Sequence, residues 1–420
     1  QKRLELRRYD RASRQSKVLV VEESPTFVNL HDNLHFLADD DFLWTSERDG
    51  FARIYRHDRE GRMRYALSPE GWVVDRIAAV DEKQERLYFV SGGPDPLQAQ
   101  VFGVALSEAV KSTEMLTSGE GMHQAVFAKD ASVFVDTFSR PDAPPSVRIH
   151  RNTGELLTVL EPNALGEDHP YDAYVQTHAP SEFGSIRNPE GDTLHYRLVK
   201  PAGFDPARRY PVLVNVYGGP HKQMVQKAWG DLTWQVLARR GYLVFVLDNR
   251  GSPRRGKVFE EALYRRMGGP EVDDQMAGIR WLKQQPFVDP DRIGVYGWSY
   301  GGYMALMMLA KHSGEIAAGA SGAPVTDWAL YDTHYTERYM DHPKANADGY
   351  TASSVFAHVD GLTSPLLLVH GMADDNVLFT NATKLMTALQ ERGRTFDLMT
   401  YPGAKHGISS PYMKKHHGNT

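Results

Sequence analysis

Apolar residues fall into two rhythms along this chain. Up to about residue 155 they form short runs that end in small or polar residues: Leu43-Trp44-Thr45-Ser46, Tyr88-Phe89-Val90-Ser91 and Val133-Phe134-Val135-Asp136. Trp44, Phe89 and Phe134 stand 45 residues apart in turn. Another apolar stretch precedes each run (Leu34–Leu37, Ile77–Val80, Ala125–Phe127). A further one follows it after a turn (Ala52–Tyr55, Gln100–Val104, Val147–His150). Four short strands repeated at this period are the signature of a β-propeller blade. An antiparallel sandwich would have to produce three matching registers by accident. The pattern predicts about three blades. Leu6-Arg7-Arg8-Tyr9-Asp10 reads like Ile54-Tyr55-Arg56-His57-Asp58, the outer strand of a blade, and the chain opens on Gln1. The expectation is therefore an incomplete propeller that begins inside a fourth blade, in the carboxyl-terminal portion of a longer protein.

From about residue 180 the rhythm changes. Pro211–Val216 and Tyr242–Leu247 are continuous apolar runs, as in strands buried on both faces of a parallel sheet. Between them Leu232, Val236 and Leu237 fall on one helical face. A helix is predicted near Val272–Lys283, then a strand at Arg292–Tyr296, a helix from about Tyr303 and a strand at Leu366–His370. Helix Asn381–Arg392, stopped by Gly393, and strand Phe396–Tyr401 complete the alternation. Such a series predicts a doubly wound, mostly parallel sheet. The domains expected are 1–175, a partial propeller, and 176–420, an α/β domain.

Composition narrows the function. The 420 residues carry 48 Lys+Arg against 53 Asp+Glu, a net charge of −5, which leaves no electrostatic footprint for nucleic acid. The longest apolar runs are too short to cross a bilayer. The absence of cysteine excludes disulfides, thiolate zinc sites and a thiol nucleophile, and fits either redox compartment.

The chemistry sits where the predicted strand Arg292–Tyr296 runs into Gly297-Trp298-Ser299-Tyr300-Gly301-Gly302 and a helix follows. G-x-S-x-G between strand and helix is the nucleophile elbow of an α/β-hydrolase, with Ser299 on a strained turn and glycines where side chains would collide. The partners should follow in the order Ser, Asp, His. Strand Leu366–Val369 ends in His370-Gly371-Met372-Ala373-Asp374-Asp375-Asn376, which offers Asp374 or, by spacing alone, Asp375. His406 follows the last predicted strand and precedes a glycine. It is the expected base, and His370 is read as structural. The Tyr300 N–H and the loop Tyr217-Gly218-Gly219, with the Tyr217 hydroxyl, are candidates for an oxyanion hole. No metal or cofactor is implied. His416-His417 near the carboxyl end reads as a solvated pair and Glu22-Glu23 as part of an ordinary strand.

Three motifs then carry a resemblance: Gly-Trp-Ser-Tyr-Gly-Gly-Tyr (297–303), the tyrosine-rich run Tyr331 to Met340, and His-Gly-Met-Ala-Asp-Asp-Asn-Val (370–377). They resemble the dipeptidyl peptidase IV branch of the prolyl oligopeptidase family, which joins a propeller to an α/β-hydrolase domain. The resemblance implies a triad of Ser299, Asp374 and His406, an oxyanion hole from Tyr217 and Tyr300, and a proline pocket lined by Tyr300, Val325, Trp328, Tyr331, Tyr335 and Val377. Asn376 would hold a substrate carbonyl, and Arg338 is left as structural. A peptide with a penultimate proline is the implied partner, a homodimer the implied assembly and the periplasm or exterior the implied location, with the cytoplasm as the alternative. The family's amine-binding glutamates are not found in this sequence. Other readings are an acylaminoacyl peptidase or esterase on the same scaffold, a non-catalytic propeller binding protein, or an inactive fragment.

Overall fold

The 45-residue period folds as three four-stranded antiparallel sheets in the computed structural model, which describes residues 1–107 and 109–418. In the first, Leu34–Phe36, Phe42–Ser46, Arg53–His57 and Met63–Ala66 pair in sequence order. Val74–Asp81, Arg86–Ser91, Gln100–Ala105 and Glu114–Met115 form the second. Met122–Phe127, Val133–Arg140, Ala143–Arg151 and Leu156–Glu161 form the third. Trp44, Phe89 and Phe134 each lie on the second strand of a sheet and are buried. The equal spacing arises because successive sheets share apolar faces. Leu43 and Ile54 pack with Leu87, Phe89 and Phe102, while Tyr88 and Val101 pack with Ala125 and Phe134. Arg3–Asp10 and Gln15–Glu23 form a two-stranded antiparallel sheet whose Val20 joins Phe42 and Trp44. This is a propeller-like region.

The compact unit that holds these sheets comprises 1–176 together with 226–230 and 253–260; the second unit comprises 177–225, 231–252 and 261–420. Ion pairs hold the two short segments within the first unit. Arg254 grips Asp75 with two nitrogens at 2.8 and 2.6 Å, Lys257 pairs with Glu47 at 3.0 Å and Lys227 with Asp95 at 3.0 Å.

The second unit is built on one eight-stranded sheet. Its order is Ser181–Arg187, Thr193–Val199, Leu243–Leu247, Tyr210–Asn215, Val288–Trp298, Ala318–Gly322, Leu366–Gly371, Asp397–Tyr401. The last six are parallel and the first two add an antiparallel edge. Ala318–Gly322 escapes a search for apolar runs because it must be small. A Cβ on Gly319 would meet Leu309 at 2.4 Å and one on Gly322 would meet the Trp298 ring at 2.0 Å. The helix Tyr300–Lys311 is buried along nearly its whole length, so it reads as apolar all round. One expected helical face is corrected. In Leu232–Arg239 the buried side is Trp234, Gln235 and Ala238, while Leu232 and Val236 are about half exposed. Gln235 is drawn inward because its amide bonds both the N–H and the carbonyl of Ala179. Among the described residues no helix is long and apolar enough to cross a membrane.

Candidate active site

Strand Val288–Trp298 stops at Ser299, whose backbone sits at φ 62°, ψ −120°, and helix Tyr300–Lys311 begins at the next residue. A non-glycine residue at positive φ is strained and persists only where its surroundings hold it. The Ser299 N–H donates to Gly322 O at 2.8 Å, and its carbonyl accepts from Tyr303 N–H at 3.0 Å. The glycines around it are required by contact. A Cβ on Gly297 would lie 2.2 Å from Gly301 O, and one on Gly301 2.3 Å from Val216 O.

Two loops bring the partners to this turn. His406 Nε2 lies 2.9 Å from Ser299 Oγ, and its Nδ1 lies 2.9 Å from Asp374 Oδ2. The Asp374 side chain is fully buried, and its Oδ1 accepts from the N–H groups of Asn376 and Val377 at 3.0 Å each. Asp375 points elsewhere, pairing with Lys405 at 2.6 Å on the surface. His370 stands behind Asp374, with Nε2 at 2.9 Å from Val377 O and 3.2 Å from Asp374 Oδ2. Burial lowers the pKa of His370, which favours a neutral ring donating its Nε2–H to those acceptors. Trp298 ties the elbow to the base, since its indole N–H donates to His406 O at 2.8 Å.

The loop after Tyr210–Asn215 brings Tyr217 to within 6.0 Å of Tyr300, ring centre to ring centre. A Cβ on Gly219 would touch both rings, at 2.7 and 2.9 Å, so the loop passes tightly between them. Burial, with Tyr331 nearby, raises the pKa of Tyr217 and keeps its hydroxyl a neutral donor. Tyr300 is the first residue of its helix, and its N–H has no acceptor within that helix.

The aromatic residues of the predicted pocket form one cluster. Val325, Trp328 and Val377 are buried, and Trp328 lies 5.2 Å from Tyr300 and 6.0 Å from both Tyr331 and Tyr335. Tyr331 and Tyr335 meet edge to face at 5.4 Å, and the Tyr331 hydroxyl donates to Asn376 Oδ1 at 2.9 Å. Asp332 caps helix Thr333–Met340 by accepting from Tyr335 N–H at 2.9 Å, which fixes where the tyrosines point. Tyr339, packed 4.9 Å from Tyr335, extends the aromatic row beyond the predicted residues.

Two sequence-level readings take definite form. Glu22 accepts from Trp44 Nε1 and Ser46 Oγ, whereas Glu23 is largely exposed and pairs with Arg3, so the two carboxylates do not face one ligand. His416-His417 is not a simple solvated pair. Helix Pro411–His417 brings His416 to the Tyr401 hydroxyl at 3.1 Å and sets the half-buried His417 edge-on to Trp298 at 5.6 Å. Sequence reasoning also passed over Glu271, which is fully buried beneath Tyr300 and bonded to its hydroxyl at 2.7 Å. An acid in the first turn of a helix, behind Pro270, looks like an ordinary surface residue, and nothing local marks it otherwise.

An α/β sheet with a serine on a strained elbow, hydrogen-bonded through histidine to a buried aspartate, is the constellation of the serine hydrolases. The chain belongs to the prolyl oligopeptidase family, in its dipeptidyl peptidase IV branch: residues 229–419 match the prolyl oligopeptidase family and 1–145 match the dipeptidyl peptidase IV N-terminal region. Dipeptidyl peptidase 8 of Mus musculus is 30% identical over 95% of this chain and 49% of its own length. Dipeptidyl peptidase 4 of Trichophyton equinum is 33% identical over 86% of this chain and 48% of its own length. The crystal structure of Porphyromonas gingivalis dipeptidyl peptidase 4 superimposes with a TM-score of 0.94 at 32% identity, over 100% of this chain and 59% of that one. The chain spans about half the length of the curated relatives it matches.

Proposed function

We propose that this chain carries the catalytic part of a serine exopeptidase that releases amino-terminal Xaa-Pro or Xaa-Ala dipeptides. The observation that carries the reading is the hydrogen-bonded chain Ser299–His406–Asp374 beside the aromatic cluster of Tyr300, Trp328, Tyr331 and Tyr335, which joins it at Tyr300, next to Ser299, and through the Tyr331–Asn376 bond, two residues from Asp374. Ser299 Oγ attacks the carbonyl carbon of the proline while His406 Nε2 takes the hydroxyl proton. Asp374 holds the Nδ1–H tautomer and stabilises the imidazolium that forms. The Tyr300 N–H and the Tyr217 hydroxyl receive the charge that develops on the carbonyl oxygen. His406 returns its proton to the leaving amine as the C–N bond breaks, which leaves an acyl-enzyme on Ser299. Water, deprotonated by His406, attacks the ester, and the dipeptide leaves with Ser299 restored.

The flat rings suit a rigid pyrrolidine, which buries against them with little entropy to lose. With its Oδ1 engaged by Tyr331, Asn376 has its amide N–H free to donate to the carbonyl of the first residue. We read the three sheets and the two-stranded sheet as about three blades and part of a fourth, with domains meeting near residue 175. An exported homodimer follows the family resemblance.

A fluorophosphonate probe, followed by Gly-Pro-anilide assayed beside its amine-blocked form, tests the proposal. Labelling of Ser299 and faster turnover of the free-amine substrate are expected. Absence of labelling removes the enzyme reading. Equal or faster turnover of the blocked substrate removes the exopeptidase reading in favour of an acylaminoacyl peptidase or esterase.

A further inference from the structure

We propose that Glu271 is a positioning residue for this reaction, whose buried carboxyl holds the Tyr300 hydroxyl and thereby the N–H that meets the oxyanion and the ring that lines the pocket. The inference rests on the peptidase reading above. Glu271 is the second residue of helix Pro270–Lys283, is 0% exposed and lies beneath the start of the nucleophile's helix. Its Oε1 accepts from the Tyr300 hydroxyl at 2.7 Å and from Gly268 N–H at 2.5 Å. Gly268, at φ +80°, has no room for a side chain, since a Cβ there would lie 2.1 Å from the Tyr303 hydroxyl. Only glycine therefore fits the turn that aims this N–H at Glu271.

Oε2 has no hydrogen-bond partner. Both donors therefore converge on Oε1, which makes that oxygen the one that fixes the Tyr300 hydroxyl. A carboxylate would leave a bare anionic oxygen in an apolar site, which is costly. Burial pushes the pKa of Glu271 up to about 7. The titratable groups around it are Tyr300, Tyr303 and Lys311 on the nucleophile helix and Tyr335 on helix Thr333–Met340. The Lys311 ammonium donates to Gly268 O at 2.9 Å, and the Tyr303 hydroxyl to Ser353 O at 2.8 Å. Of the two nearest phenols, only Tyr300 hydrogen-bonds the acid.

Tyr300 has two duties in the proposed mechanism, one through its backbone and one through its ring. Its ring is packed between the Tyr217 loop and Trp328, and its far end is pinned by a single bond to Glu271. Removing that bond from either side frees the far end of the ring, and the N–H beside Ser299 shifts with it. Misplacement on the order of 1 Å at a reacting centre costs up to about 100-fold in rate.

The test compares E271Q, E271L, Y300F and the double variant E271L/Y300F by Gly-Pro-anilide kinetics and by thermal unfolding. Gln keeps an acceptor oxygen, so E271Q is expected within about threefold of the parent in kcat/KM. E271L and Y300F should each lose about tenfold or more, and the double variant no more than the worse single one. Losses that multiply in the double variant, Y300F at parental kcat/KM, or E271Q as impaired as E271L would each overturn the assignment. If E271L does not fold, Y300F and E271Q still decide it. A parent chain that is not labelled by fluorophosphonate defeats the peptidase reading instead. In that case unfolding free energies settle the link separately, since additive losses for Glu271 and Tyr300 would remove the contact on which the inference stands.

Discussion

Trp298→Phe tests how the base is held. The indole N–H donates to His406 O at 2.8 Å, and the ring lies against Gly322, where a Cβ would meet it at 2.0 Å. Phe removes the donor and one ring of contact while keeping an aromatic group in the cluster with Val369, Tyr401 and Ala404. A net hydrogen bond is worth about 1 kcal/mol, and the lost apolar contact adds up to about another. The 1–2 kcal/mol total is a factor of about 5–30 in equilibrium population. It falls on the loop that carries His406, because the partner carbonyl is that residue's own. The variant should therefore fold, melt a few degrees lower and lose about 5- to 30-fold in kcat/KM for Gly-Pro-anilide. Second-order labelling by a fluorophosphonate should slow by the same factor, since both reactions need the 2.9 Å contact between His406 and Ser299. A folded W298F labelled within twofold of the parental rate refutes the reasoning.

Asp374→Asn should cost about 10⁴-fold in kcat by favouring the wrong histidine tautomer, whereas Asp375→Asn, which breaks only an exposed pair with Lys405, should change kcat less than twofold. Tyr217→Phe removes one proposed oxyanion donor and should lower kcat by about 100- to 1,000-fold with little change in melting temperature. His57, buried in the first sheet, has its pKa lowered by burial to about 4, so the folded state binds fewer protons than the unfolded one below the ordinary value of 6.5. Stability should therefore fall as pH drops from 6.5 to about 4, by about 3 kcal/mol at most, and His57→Gln should flatten that part of the unfolding-versus-pH curve. Glu271 has the opposite sign. Its pKa is raised to about 7, so its contribution is complete below 4.5 and lost by the time pH passes 7, and E271Q should gain on the parent above neutrality in the same measurement.

Much of the architecture is visible in one dimension because it depends on periodic burial. A propeller-like sheet repeats its buried second strand, so Trp44, Phe89 and Phe134 mark it at equal spacing. Continuous apolar runs announce Leu243–Leu247 and Leu366–Gly371 because both faces of those strands are covered. Elements that obey a different constraint stay hidden. Ala318–Gly322 consists of small residues because Trp298 and Leu309 occupy the space beside it. Helix Leu232–Arg239 turns a glutamine inward because Ala179 offers it both a donor and an acceptor.

The same division runs through the site. Residue order and local grammar single out Ser299 and His406, because an elbow needs glycines at close backbone contacts and the expected base follows the last strand, and the two side chains lie 2.9 Å apart. Local pattern cannot choose between Asp374 and Asp375, which are neighbours in sequence. One is buried at 2.9 Å from His406 and the other is paired with Lys405 on the surface. Nor can it see that Glu271 meets Tyr300, or that Trp298 bonds the backbone of His406, across 29 and 108 residues of chain. Chemistry that rests on backbone shape and periodic burial is written locally. Chemistry that rests on which side chains lose water together exists only once the sheet has brought distant loops to one edge.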